Sequence, residues 1–117
     1  MSRRGRAAAR RSGSVHKAAS ACTLRDDPVE TMIARAQKCR VKGDARRALV
    51  LLREACALDE WRARTWAILG ALLVELGRPA EAAQAFRQAR WLRLRAGDRA
   101  RAAVMARLIA RLTLAAA

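Results

Sequence analysis

Residues 63–96 read ARTWAILGALLVELGRPAEAAQAFRQARWLRLRA, and the fold turns on this stretch. It runs Trp66-x-x-Leu69-Gly70-x-x-Leu73, then Gly77, then Ala82-x-x-x-Phe86 and Ala89. Gly77 can take the left-handed conformation that ends a helix, at no steric cost. Pro79 suits the first position of a second helix, where a missing N–H loses nothing. The stretch therefore predicts two helices joined by a tight turn.

The composition agrees. A chain of 117 residues is one small domain and at most a tail. Ala, Leu and Arg dominate, Tyr is absent, aromatics make up only 3% and there are two Pro, which suits helices and hardly suits a sheet. No apolar run approaches the roughly 18 residues of a membrane-spanning helix.

In these residues the stretch resembles one tetratricopeptide repeat, a helix–turn–helix unit of about 34 residues. The resemblance gives the small residues a role. Gly70 and Ala82 lie where two antiparallel helices cross closely, and Trp66, Leu69, Leu73 and Phe86 fill the space beside the crossing. Leu73 stands where a Tyr is usual, and Leu94 where a closing Pro is usual. Without that Pro, the second helix is expected to run to about Arg95.

An upstream echo follows at the same period. It sets Gly43 under Gly77, Ala48 under Ala82, Leu52 under Phe86, Ala55 under Ala89 and Leu58 under Leu92. Residues 29–62 thus read as a weaker copy, whose first helix has Met32, Arg35 and Cys39 in place of Trp66, Leu69 and Leu73. Arg35 against apolar neighbours would be costly, so this helix is expected to pack on one side only, with Arg35 snorkelling to water. It should begin at Asp27-Pro28, an N-cap and a first helical residue, with Glu30 in the first turn.

After Gly97-Asp98, Val104, Leu108 and Leu112 recur every four residues beside Met105 and Ile109, with Arg107 and Arg111 on another face. This predicts an amphipathic helix over about 98–114. It is expected to cap the open flank of the preceding repeat. A membrane-surface helix is the alternative, although no Trp or Phe would anchor it. The expected fold class is all-α: a tetratricopeptide-like helical repeat over 28–117, about five helices in antiparallel pairs with repeats 29–62 and 63–96.

The formal net charge is +15. Residues 1–27 carry seven Lys or Arg and two Asp; residues 28–117 carry eighteen and eight, so the excess is not confined to one end. Such a balance favours acidic partners, although an Arg-rich surface from a GC-rich genome gives the same composition. Residues 1–25 hold no acid and almost no large apolar residue, which predicts a disordered basic tail. An organelle transit peptide and translated sequence upstream of the true start are alternatives. Ala21-Cys22 superficially resembles a lipidation site but lacks the apolar segment such signals need.

No Gly-rich phosphate loop, HExxH or GxSxG motif occurs, and His16, the one His, lies in the expected tail. The carboxylates stand beside arginines, Glu54 near Arg53 and Glu81 before Arg87, as solvated surface pairs. Cys22, Cys39 and Cys56 form no CxxC pair, so no metal site is expected. Cys39 and Cys56 are expected to be small buried residues of a reducing compartment. These features argue against an enzyme and imply no cofactor.

The tetratricopeptide resemblance implies a right-handed stack whose first helices line a concave groove for a peptide or helix of a partner protein. Carried over residue by residue, that groove comprises Glu30, Ile33, Gln37, Arg40 and Val41 from the first unit, and Arg64, Ala67, Ala71, Val74 and Glu75 from the second. The Lys/Asn set with which some members clamp a C-terminal carboxylate is not present. A second cluster, Arg87, Arg90, Arg93 and Arg95 with Trp91, is a candidate anion-binding stripe. Arg87, Arg90 and Trp91 are expected to share a helix face that grips phosphate and stacks on a base. The plainer alternative packs Trp91 on the last helix. The function expected is binding of another protein, as a cytoplasmic adaptor, co-chaperone or assembly factor. Association with nucleic acid through the tail and the Arg stripe is the alternative, and homo-oligomer formation stays open.

Overall fold

The computed structural model describes residues 27–116. The expected basic tail, with His16 and Cys22, lies outside the described residues. Five helices follow one another: α1 Pro28–Val41, α2 Ala45–Leu58, α3 Ala63–Glu75, α4 Pro79–Arg95 and α5 Arg99–Ala116. Among the described residues there is no strand, and no helix is long and apolar enough to cross a membrane.

The ends fall where the local chemistry puts them. The Asp27 carboxylate accepts from the Val29 N–H at 2.9 Å and caps α1, and Pro28 opens it. Asp44 caps α2 by accepting from the Arg47 N–H, and Asp98 caps α5 by accepting from the Arg101 N–H, each at 3.1 Å. Helix α4 runs to Arg95, as the missing Pro at position 94 predicts.

Three of the four connections are the same turn. Gly43, Gly77 and Gly97 take φ of 90°, 72° and 80°. In each case the next N–H reaches back to close the helix: Asp44 to the Cys39 carbonyl, Arg78 to Leu73, Asp98 to Arg93. The α1–α2, α3–α4 and α4–α5 junctions are therefore tight antiparallel hairpins, and α5 packs along α4. The α2–α3 connection differs. It has no glycine, and Asp59 organises it by accepting from the Trp61 N–H at 3.1 Å.

The core follows the repeat. Ala48 and Ala82, and likewise Ala55 and Ala89, are wholly buried, and Leu52 and Phe86 are almost so. Gly70 is buried against the Phe86 ring, where a side chain would not fit. The equivalence fails at Leu58, which ends α2 and is exposed, whereas Leu92 lies inside the longer α4 and is buried. In α1 the stripe Val29, Ile33 and Ala36 is buried while Arg35 is exposed, so this helix packs on one side as expected. Met105 joins the core from α5, with Leu108, Ile109 and Leu112 packed against it, whereas Val104 of the same expected stripe is exposed.

Candidate partner-binding surfaces

Helices α1 and α3 lie side by side and are tied by long-range ion pairs. Arg64 donates to Glu30 at 2.7 Å. Arg40 Nε donates to both Glu75 oxygens at 3.1 Å, and its Nη1 donates to Gln37 Oε1 at 2.8 Å. At the other end Arg62 donates to Asp27 at 2.9 Å, Glu30 at 3.0 Å and Asp59 at 3.3 Å. Burial raises the Asp27 pKa, but the Arg62 bond and charge, with the Val29 and Glu30 N–H groups, outweigh it and hold that carboxyl below its ordinary value.

The ten residues expected in the groove therefore divide. Glu30, Gln37, Arg40, Arg64 and Glu75 satisfy one another across the helix pair. Val41 and Val74 are exposed, at 86% and 45%, and Ala71 is exposed beside them, with Ala67 half-buried. Ile33 is a correction. It is 2% exposed and unavailable to a ligand, because α1 attaches to the domain through the short stripe it shares with Val29 and Ala36. None of the ten lines any of the described cavities.

One of these cavities lies between α4 and α5, and the others lie on the opposite side, between α4 and α2 with its following connection. Three adjoin there, of about 390, 250 and 390 Å³. Trp66, Leu69 and Leu73 of α3 contribute apolar lining, and Trp66 is oriented by donating its indole N–H to the Glu60 carbonyl at 2.9 Å. Arg53 of α2 pairs with Glu81 of α4 at 2.8 Å across this furrow. Glu81 also pairs with Arg78, so its partners are Arg53 and Arg78 and not Arg87. Cys56 lines the furrow while 3% exposed, and burial pushes its thiol up to about 11. Cys39 is only half-buried.

At one end of the furrow Trp61 and Trp91 meet, ring centroids 5.9 Å apart at 37°. The Arg95 guanidinium lies over both rings, 5.4 Å from the Trp61 centroid and 4.9 Å from that of Trp91. Trp91 thus packs on Trp61. The expected Arg stripe is also divided. Arg87 borders Ala83, Leu112 and Thr113 on the α5 side, Arg93 is half-buried, Arg90 is exposed, and Arg95 alone joins Trp91. Arg87 and Trp91, four residues apart, share a face of α4, but Arg87 lies one turn nearer the start of the helix, beside the end of α5, and Trp91 lies against Trp61.

Trp61 has no role legible in the sequence alone. Its one signal was a large aromatic in a connection, at the repeat position that Arg95 occupies in the second copy. No protein-family model matches the chain, and no curated protein is significantly similar to it.

Proposed function

We propose that this chain is a small tetratricopeptide-type interaction module that binds a segment of another protein along α1 and α3, as an adaptor, co-chaperone or assembly factor. The observation that carries the proposal is the exposure of Val41 and Val74 beside the Arg40–Glu75 pair. Exposed aliphatics rimmed by satisfied polar groups suit the apolar anchors of a partner helix. The Glu30–Arg64 and Arg40–Glu75 pairs support the same role, because they hold the face in one shape before a ligand arrives. The task is binding and not catalysis, and a reducing, cytoplasmic setting suits the free Cys39 and Cys56.

The test compares partners recovered by the wild type with those recovered by Val41→Asp and Val74→Arg. Both positions are exposed, so both variants should keep their helical circular dichroism and melting temperature while losing the partner. Recovery of the same partner by both folded variants would remove the interaction from this face.

A further inference from the structure

Trp61 and Trp91 come from different elements, the α2–α3 connection and α4, and remain 61% and 45% exposed although they touch. Indoles that pack together at a surface yet stay half open are a contact site in waiting. The cavity beside them, about 390 Å³, is lined by the two indoles, Glu60 and Gln88. Glu60 makes no ion pair among the described residues. The cleft thus offers the indole surface that Arg95 leaves uncovered, a carboxylate that accepts hydrogen bonds and an amide that both donates and accepts. A ligand that fits is flat, stacks on an indole, and carries N–H donors and carbonyl acceptors at its rim. A nucleobase has that chemistry.

Charge supplies the second observation. The described residues hold eighteen Lys or Arg against nine Asp or Glu. Asp27, Glu30, Asp59, Glu75, Glu81 and Asp98 are already paired with arginines. Arg90, Arg95 and Arg99 make no ion pair among the described residues, and Arg95 stands over the indoles themselves. The surplus attracts a polyanion. An acidic protein segment would answer the charge, but it would bring few planar faces to the indoles. In a duplex the bases are stacked inside and cannot enter.

We propose that the Trp61–Trp91 cleft binds an unpaired base of single-stranded nucleic acid. Stacking on the indoles holds the base, Glu60 and Gln88 meet its polar edge, and Arg95 is the cation nearest the strand. The site lies between the α2–α3 connection and α4 and does not depend on the protein-binding face of α1 and α3.

The experiment uses the full chain, labelled oligouridylate and oligothymidylate, and a duplex of equal length, followed by anisotropy and tryptophan emission. The single strands should bind more tightly than the duplex and quench the emission, with affinity falling steeply between about 50 and 200 mM salt. Trp61→Ala and Trp91→Ala should each weaken single-strand binding roughly five- to a hundredfold. Arg95→Ala should weaken it too, and the charge-neutral Val74→Ser should leave it unchanged. Trp61→Leu, which keeps apolar bulk but no ring for a base, should behave like Trp61→Ala; circular dichroism checks that all remain folded. Absence of binding at low salt overturns the proposal. So does equal binding by wild type and both Trp variants, which would mean surface charge alone. Displacement of the strand by polyglutamate with the same dependence on both tryptophans would overturn it in favour of an acidic protein segment.

Discussion

Replacing Gly70 with Leu tests whether α3 and α4 cross as described. A Cβ built on Gly70 would lie 2.5, 2.7 and 2.9 Å from Cε1, Cδ1 and Cζ of Phe86. Carbon atoms rest at about 3.5–4.0 Å, so one methyl already overlaps the ring edge by roughly 1 Å. The ring has little room to retreat. Phe86 is 3% exposed, and Ala82 and Ala89, one turn away on either side along α4, are wholly buried. Overpacking of this kind costs about 1–3 kcal/mol. Against it stands a helix-propensity gain of up to about 1 kcal/mol on leaving glycine. Gly70→Ala should therefore lose between zero and about 2 kcal/mol. Gly70→Leu, with three more carbons in the same space, should lose 3 kcal/mol or more. A loss of that size lowers the melting temperature by about 4–8 °C per kcal/mol in a domain of this length. Thermal and urea unfolding followed by circular dichroism reads both. Ala71→Leu, next in the same helix but exposed, is the control and should stay within about 0.5 kcal/mol. Combining Gly70→Ala with Phe86→Leu should cost less than the sum of the two. A melting temperature for Gly70→Leu within about 2 °C of wild type, less than 1 kcal/mol would produce, would mean the helices do not meet there.

Three further outcomes are expected. Arg62→Ala should destabilise the domain by about 1–3 kcal/mol at neutral pH, since it leaves Asp27, Glu30 and Asp59 without their shared partner. Because the Asp27 pKa is depressed in the folded state, its contribution is present above the ordinary carboxylate pKa and is lost as pH falls through the folded value. The gap between wild type and Arg62→Ala in urea titrations should thus close on acidification, and a constant gap down to pH 2 would contradict it. Cys56, buried and pushed up to about 11, should resist alkylation at pH 8 until denaturant is added. Its raised pKa also means that stability falls as pH rises from about 9 toward 11, where the unfolded thiol ionises first. Gly77→Ala should cost about 1 kcal/mol by placing a side chain at φ 72°, although nothing lies within 4 Å of its Cβ.

The helices and most of their ends were legible in the sequence because their causes are local. Asp27-Pro28 caps and opens α1 through bonds no more than three residues long, and Gly77 and Gly97 close α3 and α4 through their own backbones. The period that aligns Ala48 with Ala82 and Leu52 with Phe86 also carried the core, since equivalent positions in stacked helix pairs meet equivalent neighbours. The surfaces depend on which parts of the chain become neighbours, and tertiary structure alone decided that. Ile33 looked like a groove residue by its repeat position, yet α1 needs it for attachment and buries it. Arg87 and Trp91 share a face of α4 one turn apart, yet Arg87 lies beside the end of α5 and Trp91 against Trp61, because different segments pack at each level of the helix. Trp61 is a lone aromatic in a connection until α4 brings Trp91 within 5.9 Å and Arg95 over both rings. Caps and turns are fixed by residues a few positions apart, which one segment can specify. A cleft between distant segments exists only once the whole core has set their distance and angle.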